Sequence, residues 1–152
     1  MKLFLLIAML SCLSQNGKAQ LTSKMDTTQT DSDSLAIKQT LENNYFKGIY
    51  AGDLDALHKV YYPGTLVLGD VKGQPYFKTL EQYLDGVKTR QSPKDSGKPF
   101  KGEVLSISLV NSIAVAEVKV KMYDFYYHEY LSFHKLEGKW LIVNKMITDT
   151  SN

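Results

Sequence analysis

Apolar residues recur at helical spacing through the first half of the chain and at alternate positions through the second. From Ser34, SLAIKQTLENNYFKGIYAGD sets Ile37, Leu41, Tyr45 and Gly48 along one side of a helix. Asp33 or Ser34 can cap its start, and Ala51-Gly52 closes it. Asp53 can cap a short second helix carrying Leu54, Leu57 and Val60, which Pro63 and Gly64 stop. TLVLGD reads as a short strand, and VKGQPYF as a turn and a second strand. Thr79 with Gln82 three residues on is a capping-box signature. It opens a third helix with Leu80, Leu84 and Val87 on one face, and QSPKDSGKP follows as a loop.

From Phe100 the period changes to two. KGEVLSISLV, SIAVAEVKVKMY, YYHEYLSFHKL and KWLIVNKMIT read as four strands of an antiparallel meander, with turns at Asn111-Ser112, Asp124-Phe125 and Glu137-Gly138. Helices first and strands last predict an α+β domain, three helices packed on a mainly antiparallel sheet. Counting outward from two-residue turns pairs Ile107 with Ala116, Val118 with Leu131, Phe133 with Ile142 and Leu131 with Asn144. One face then collects Leu105, Ile107, Leu109, Ala114, Ala116, Val118, Val120, Met122, Leu131, Phe133, Trp140, Ile142 and Met146, apolar enough to lie under the helices. The other carries Ser106, Ser108, Glu117, Lys119, Lys121, His128, Tyr130, Ser132, His134, Lys145 and Ile147, a mixture suited to a face partly wet and partly covered by a second subunit.

The candidate chemistry lies in the polar exceptions on the apolar face: Glu103, Glu129 and Asn144, with Tyr127 at the rim. A buried carboxylate must be hydrogen-bonded, paired or open to a wet pocket. Glu129 is expected opposite Val120 and Met146, in apolar surroundings that penalise its ionised form. These groups could line the open end of a pocket between sheet and helices, with Trp140, Phe133, Tyr45 and Tyr83 supplying flat surfaces. His128 and His134 are six residues apart on one strand, about 20 Å, and cannot share a metal. No ligand spacing, nucleophile–base pair, phosphate loop or cofactor fingerprint is present, so neither metal nor cofactor is expected.

The N-terminus alters the setting. Lys2, the short apolar run Leu3 to Leu10, and small Gly17 and Ala19 read as a secretory signal, residues 1–19, cut after Ala19. The rival is a loose lipobox, Met9-Leu10-Ser11-Cys12, with Cys12 lipidated. Residues 20–33, rich in Thr, Ser and Asp, read as a disordered polar leader before a domain over 34–150. Cleavage removes Lys2 and Lys18 and no acid, so the formal charge of +2 falls to zero. No basic field remains to bind nucleic acid. The chain's one cysteine leaves as well, and no disulfide is expected. The apolar run is too short for stable membrane insertion.

GIYAGDLDALHKVYYP, GVKTRQSPKDSGKPF, VLSISLVNSIAVAEVKV and EYLSFHKLEGKWLIVNK, in that order, resemble the family described as putative lumazine-binding, within the nuclear transport factor 2-like superfamily. The resemblance covers Ser34 to Ile147. It implies a cone-shaped α+β fold with a curved sheet and a homodimer packed through sheets. Arg90, Ser92, Pro93, Tyr130, Leu131, Trp140, Asn144 and Lys145 match the family's pattern, while Tyr62 replaces a frequent His. Three functions stay open. The first is a secreted, non-catalytic module for a small flat organic ligand. The second is an acid–base isomerase or dehydratase with Glu129 as base. The third is a dimeric interaction module.

Overall fold

The computed structural model describes the backbone of residues 15–151 and the side chains of residues 28–151. The signal-sequence and lipobox readings rest mainly on residues 1–14, which lie outside the described residues. The molecule is α+β. Helix α1 (Gln15–Thr40) continues through a π-helical turn, Leu41–Phe46, into α2 (Lys47–Ala51). Helix α3 (Leu54–His58) follows, capped by Asp53 accepting from the Ala56 N–H. Then come β1 (Tyr61–Val71), β2 (Gln74–Thr79), α4 (Leu80–Thr89), α5 (Pro93–Ser96), β3 (Phe100–Val110), β4 (Ile113–Met122), β5 (Phe125–Leu136) and β6 (Lys139–Asp149). The six strands form one sheet in the order β2-β1-β6-β5-β4-β3, antiparallel except where β1 runs parallel to β6.

The capping box at Thr79 and Gln82 is present and opens α4. Two expectations differ. QSPKDSGKP contains a short helix, α5, because Ser92 caps it and Pro93 occupies its first turn. Residues 20–33, expected to be disordered, are helical. Their Ser, Thr and Asp content weakens local helix propensity, but the segment extends a helix that is anchored at its far end. Asp33 accepts from Lys135 Nζ on β5 at 2.6 Å and from Trp140 Nε1 on β6 at 3.2 Å. Propagating a docked helix is far easier than nucleating a free one.

The π turn answers a spacing problem. Ile37, Leu41, Tyr45 and Ile49 recur every four residues, and an α-helix rotates each such step by about 40°. A wider turn within the run keeps all four facing the sheet, and all four are buried. Phe46, next to Tyr45, is buried as well, and a Cβ on Gly102 would sit 2.3 Å from its ring. Glycine on β3 thus makes room for the helix.

The meander keeps the expected turns at Asn111-Ser112 and Glu137-Gly138. The middle turn is Tyr123-Asp124, one residue earlier than expected, since Met122 pairs with Phe125. Each partner therefore moves by two and every side chain keeps its face. Ala116 meets Leu131 and Val118 meets Glu129.

Two β-bulges do change faces. In β3 the register shifts between Val104 and Ser106, which turns Glu103 and Leu105 outward. In β6 it shifts between Ile142 and Asn144, opposite Phe133 and Ser132. Beyond that point Lys145 and Ile147 face the helices, while Asn144 and Met146 face out. Parallel β1 breaks step at the same level, between Tyr61 and Leu66. Buried Thr65 hydrogen-bonds there through Oγ1 to the carbonyl of Ile142 at 2.8 Å and to that of Tyr62 at 2.6 Å. YYPG is thus an excursion within a strand pair as well as a helix stop.

Replacing Asp33 by Ala removes the acceptor that holds α1 to the β5–β6 hairpin, at an expected cost of about 1–3 kcal/mol. The hydrogen bond from Lys135 holds the Asp33 carboxyl below the usual carboxylate range. Its contribution is therefore intact above about pH 4 and lost as pH falls further. Urea unfolding at pH 7 and pH 3 checks both. Equal stability of variant and wild type at pH 7 would remove Asp33 as the anchor.

Candidate functional site

Diagonal neighbours on the inner face of the sheet place Lys145 of β6 beside Glu129 of β5. Lys145 pairs across with Leu131, and Glu129 with Ile147. Lys145 Nζ lies 2.8 Å from Glu129 Oε1, and each side chain is 2% exposed. Tyr45, projecting from the π turn, donates its hydroxyl hydrogen to Glu129 Oε2 at 2.5 Å. Lys145 Nζ in turn donates to the Tyr45 hydroxyl oxygen at 2.7 Å. The three groups close a ring in which both carboxylate oxygens are used. The ammonium also sits 4.9 Å from the centre of the Tyr83 ring and 5.3 Å from that of Tyr45, close enough for cation–π attraction.

Burial and partners act on these groups in definite directions. Burial, the largest single influence, would lower the pKa of Lys145, but Glu129 together with the neighbouring tyrosines Tyr83 and Tyr76 outweighs it, and the pKa lies above the ordinary lysine value. Burial, reinforced by the Glu129 charge, pushes the Tyr45 hydroxyl well up. Burial, reinforced by Tyr83 and Glu129, does the same for Tyr61. At neutral pH the ring holds an ammonium and a neutral phenol.

Above this floor is a cavity of about 90 Å³. Ile49, Tyr83 and Arg90 line it from the helical side, Val71 and Tyr76 from β1 and β2, and Val120, Met122, Tyr127 and Ile147 from the rest of the sheet. Tyr76 and Tyr127 are half-buried, and burial raises the pKa of both hydroxyls. They stay protonated and able to donate. Among the described residues no group of three or more His, Cys, Asp or Glu side chains is placed to hold a metal ion.

Of the residues singled out from the sequence, the structure brings Glu129, Tyr127 and Tyr83 to this cavity, with Tyr45 bound to Glu129 behind it. The others lie elsewhere. Glu103 is on the outer surface beside Lys101, because the β3 bulge reverses its face. Asn144 pairs with Ser132 on the outer face, because the β6 bulge does the same there. Trp140 is buried against Asp33 at the opposite end of the hairpin. Phe133 is a core residue. Glu129 does not stand alone in apolar surroundings, since it is ion-paired. Lys145, Arg90 and Tyr76 were not anticipated at the site. The signal for Lys145 was available: a carboxylate on the core side demands a cation, and Lys145 is one position from the face where one was missing. The histidines stay outside the cavity. His128 reaches Glu117 on the outer face at 2.8 Å, and His58 is exposed.

Breaking the pair by Lys145→Met is expected to cost about 3–5 kcal/mol, because an unpaired carboxylate is left buried. Lys145→Met with Glu129→Leu should recover most of that loss in urea denaturation. Additive losses would contradict the pairing. The unfolded chain releases its tyrosine and lysine protons near pH 10, whereas Tyr45 and Lys145 hold theirs in the native state. Their contribution is thus complete below pH 10 and declines as pH rises further. Tyr45→Phe should flatten that alkaline decline, and an unchanged slope would count against it.

Residues 32–148 match the family described as "putative lumazine-binding". A nuclear transport factor 2-like protein of unknown function from Silicibacter pomeroyi has 19% identity and a TM-score of 0.71, over 79% of this chain and 98% of that one. One from Shewanella baltica has 20% identity and a TM-score of 0.69, over 80% and 96%. One from Methylobacillus flagellatus has 22% identity and a TM-score of 0.69, over 78% and 92%. No curated protein matches the chain. The chain belongs to the family described as putative lumazine-binding, and its fold is that of nuclear transport factor 2-like proteins.

Proposed function

We propose that this chain is a non-catalytic domain that binds a small organic molecule in the cavity above Lys145 and Glu129. The observation that carries this reading is a cavity with apolar and aromatic walls and a charged floor already satisfied from within. Sites of this composition hold ligands by shape and a few placed polar groups. The alternative, acid–base catalysis by Glu129, needs a carboxylate free to take a proton. Here both oxygens are engaged, by Lys145 and by Tyr45. Lys145, kept as an ammonium, is no better suited as a nucleophile.

Size narrows the ligand. Sites that enclose drug-sized molecules measure roughly 300–1,000 Å³, and this cavity is about 90 Å³. This is small for a fused two-ring pteridine. The family's name therefore does not supply the ligand, which is a smaller molecule or one whose head alone enters.

The same proposal places the domain outside the cytoplasm, on the strength of the residue 1–19 signal pattern; cleavage after Ala19 would shorten α1 and spare Asp33. It also pairs two copies through the outer sheet face. Val110, Ile113, Val115, Tyr130 and Met146 are exposed there, and an open groove of about 610 Å³ runs past the first three. Apolar exposure of this kind marks association surfaces.

Native mass spectrometry of the exported protein tests the ligand reading. Wild type should carry a small noncovalent mass that Val71→Trp, which fills the cavity mouth, lacks. Bare protein in both would contradict ligand binding. Val115→Lys should convert a dimer to monomer by light scattering while leaving the bound mass in place, and an unchanged assembly state would contradict pairing through this face.

A further inference from the structure

We infer that the ligand taken by this cavity is a small monocarboxylate with an apolar tail, its two oxygens held by the Nε–Nη2 edge of Arg90. The inference rests on the small-molecule reading above and names its chemical class. Arg90 Nε and Nη2 are both buried, and neither has a hydrogen-bond partner among the described residues. A guanidinium cannot shed its proton to escape this situation. Two buried N–H donors without acceptors are costly, so the arrangement is one that a bound anion completes.

The two unpartnered atoms lie on one edge of the guanidinium. Their N–H bonds run parallel, at the spacing of the two oxygens of a carboxylate. The charge balance agrees. The charged residues lining the cavity are Arg90, Lys145 and Glu129, and the last two neutralise each other. One positive charge remains, which a single negative charge satisfies and a dianion over-compensates. Asp149, the acid acting on nearby Tyr127, is engaged by Ser151 and is not among the lining residues. The rest of the wall is aromatic or aliphatic, which selects an apolar tail. At about 90 Å³ the cavity is small beside sites that enclose a drug-sized molecule. That space admits a carboxylate and a few carbons, with a longer tail passing out between Tyr76 and Tyr127.

The backbone around Arg90 is held as a binding residue requires. Arg90 ends α4 in an extended conformation. The Tyr123 hydroxyl donates to the carbonyl of Gln91, and buried Ser92 caps α5. Ser92 also packs beneath Gly52, where a Cβ would come within 3.3 Å of it, on a residue with φ of 69°. Arg90 is thus presented from a fixed loop. The half-buried Tyr76 and Tyr127 feel its charge, and their neutral hydroxyls are further donors for the same anion.

The test is an NMR titration of the exported full-length domain with propionate and benzoate, each against its neutral amide, and with inorganic phosphate. The expected result is saturable shifts at Arg90, Met122 and Tyr127 with the carboxylates, and binding weaker by about tenfold or more with the amides and phosphate. Arg90→Met should abolish the carboxylate preference. It should also raise the ligand-free melting midpoint by about 2–4 °C, because it removes two buried donors that the empty protein leaves without acceptors. Amides binding as well as carboxylates would overturn the carboxylate assignment while leaving the ligand pocket standing. Tighter binding of phosphate, no binding of either acid, or a lower midpoint in Arg90→Met would overturn it as well. Val71→Trp separates the two readings, since it should abolish binding of every probe that enters the cavity.

Discussion

A lysine ammonium shut away from water must find a counter-charge and acceptors, or the fold that buries it fails. That requirement at Lys145 organises much of this molecule. One extra residue in β6 turns the side chain inward. Glu129, one diagonal step away, supplies the charge. Tyr45 supplies the remaining acceptor and closes the carboxylate's second oxygen. Tyr45 reaches the pair from a π turn that also keeps its helix seated on the sheet. Strand bulge, helix bulge and ion pair are therefore one constraint seen in three elements. Thr65 joins them by bonding the Ile142 carbonyl at the level where β1 and β6 both break step.

Charge is treated in two opposite ways within one small volume. Lys145 is paired with Glu129 and bonded to Tyr45, so it shapes the electrostatics of the cavity floor without offering itself to chemistry. Arg90, at the same cavity, has an edge that no described group reaches. The difference in residue type fits the difference in role. A compact ammonium suits a three-membered ring of hydrogen bonds, whereas a planar guanidinium presents a fixed pair of donors along one edge. Satisfied polar groups stiffen a site, and unsatisfied ones give it affinity. A buried pair that contributes little net stability is understandable if it holds the floor in place for the group above it.

Much of this fold was legible in the chain, and the side chains expected on the wrong sheet face share one cause. The change of period at Phe100, the capping box at Thr79 and the turns at Asn111 and Glu137 are local signals, and local chemistry decides them. Misplacing the middle turn by one residue did no harm, because partners moved in steps of two. The bulges were different. Each inserts a single residue, and each reverses every side chain beyond it. An unbroken alternation puts Glu103 and Asn144 inward and Lys145 outward, and the strands do not keep it. Nothing in KWLIVNKMIT marks Val143 as supernumerary, since its neighbours are as β-prone as it is. The pairing rule for buried carboxylates carried the missing information. Arg90 was visible as a matching family position, but its orphaned edge depends on what surrounds it in three dimensions.

The β6 bulge also ties the two faces of the sheet together. By turning Lys145 and Ile147 in, it turns Asn144 and Met146 out. The exposed thioether of Met146 then pairs across with Tyr130 on the outer face and Leu68 on the other side, adding to the apolar surface there. Without the bulge, an amide would sit beside Glu129 in place of its counter-ion, and a lysine would stand in the middle of the outer face. The inner face would lose its charge balance, and the outer face would gain a cation that opposes close packing of a second sheet. A single residue inserted in one strand thus settles both what the cavity can hold and how apolar the opposite surface is, which is why the two cannot vary independently in this chain.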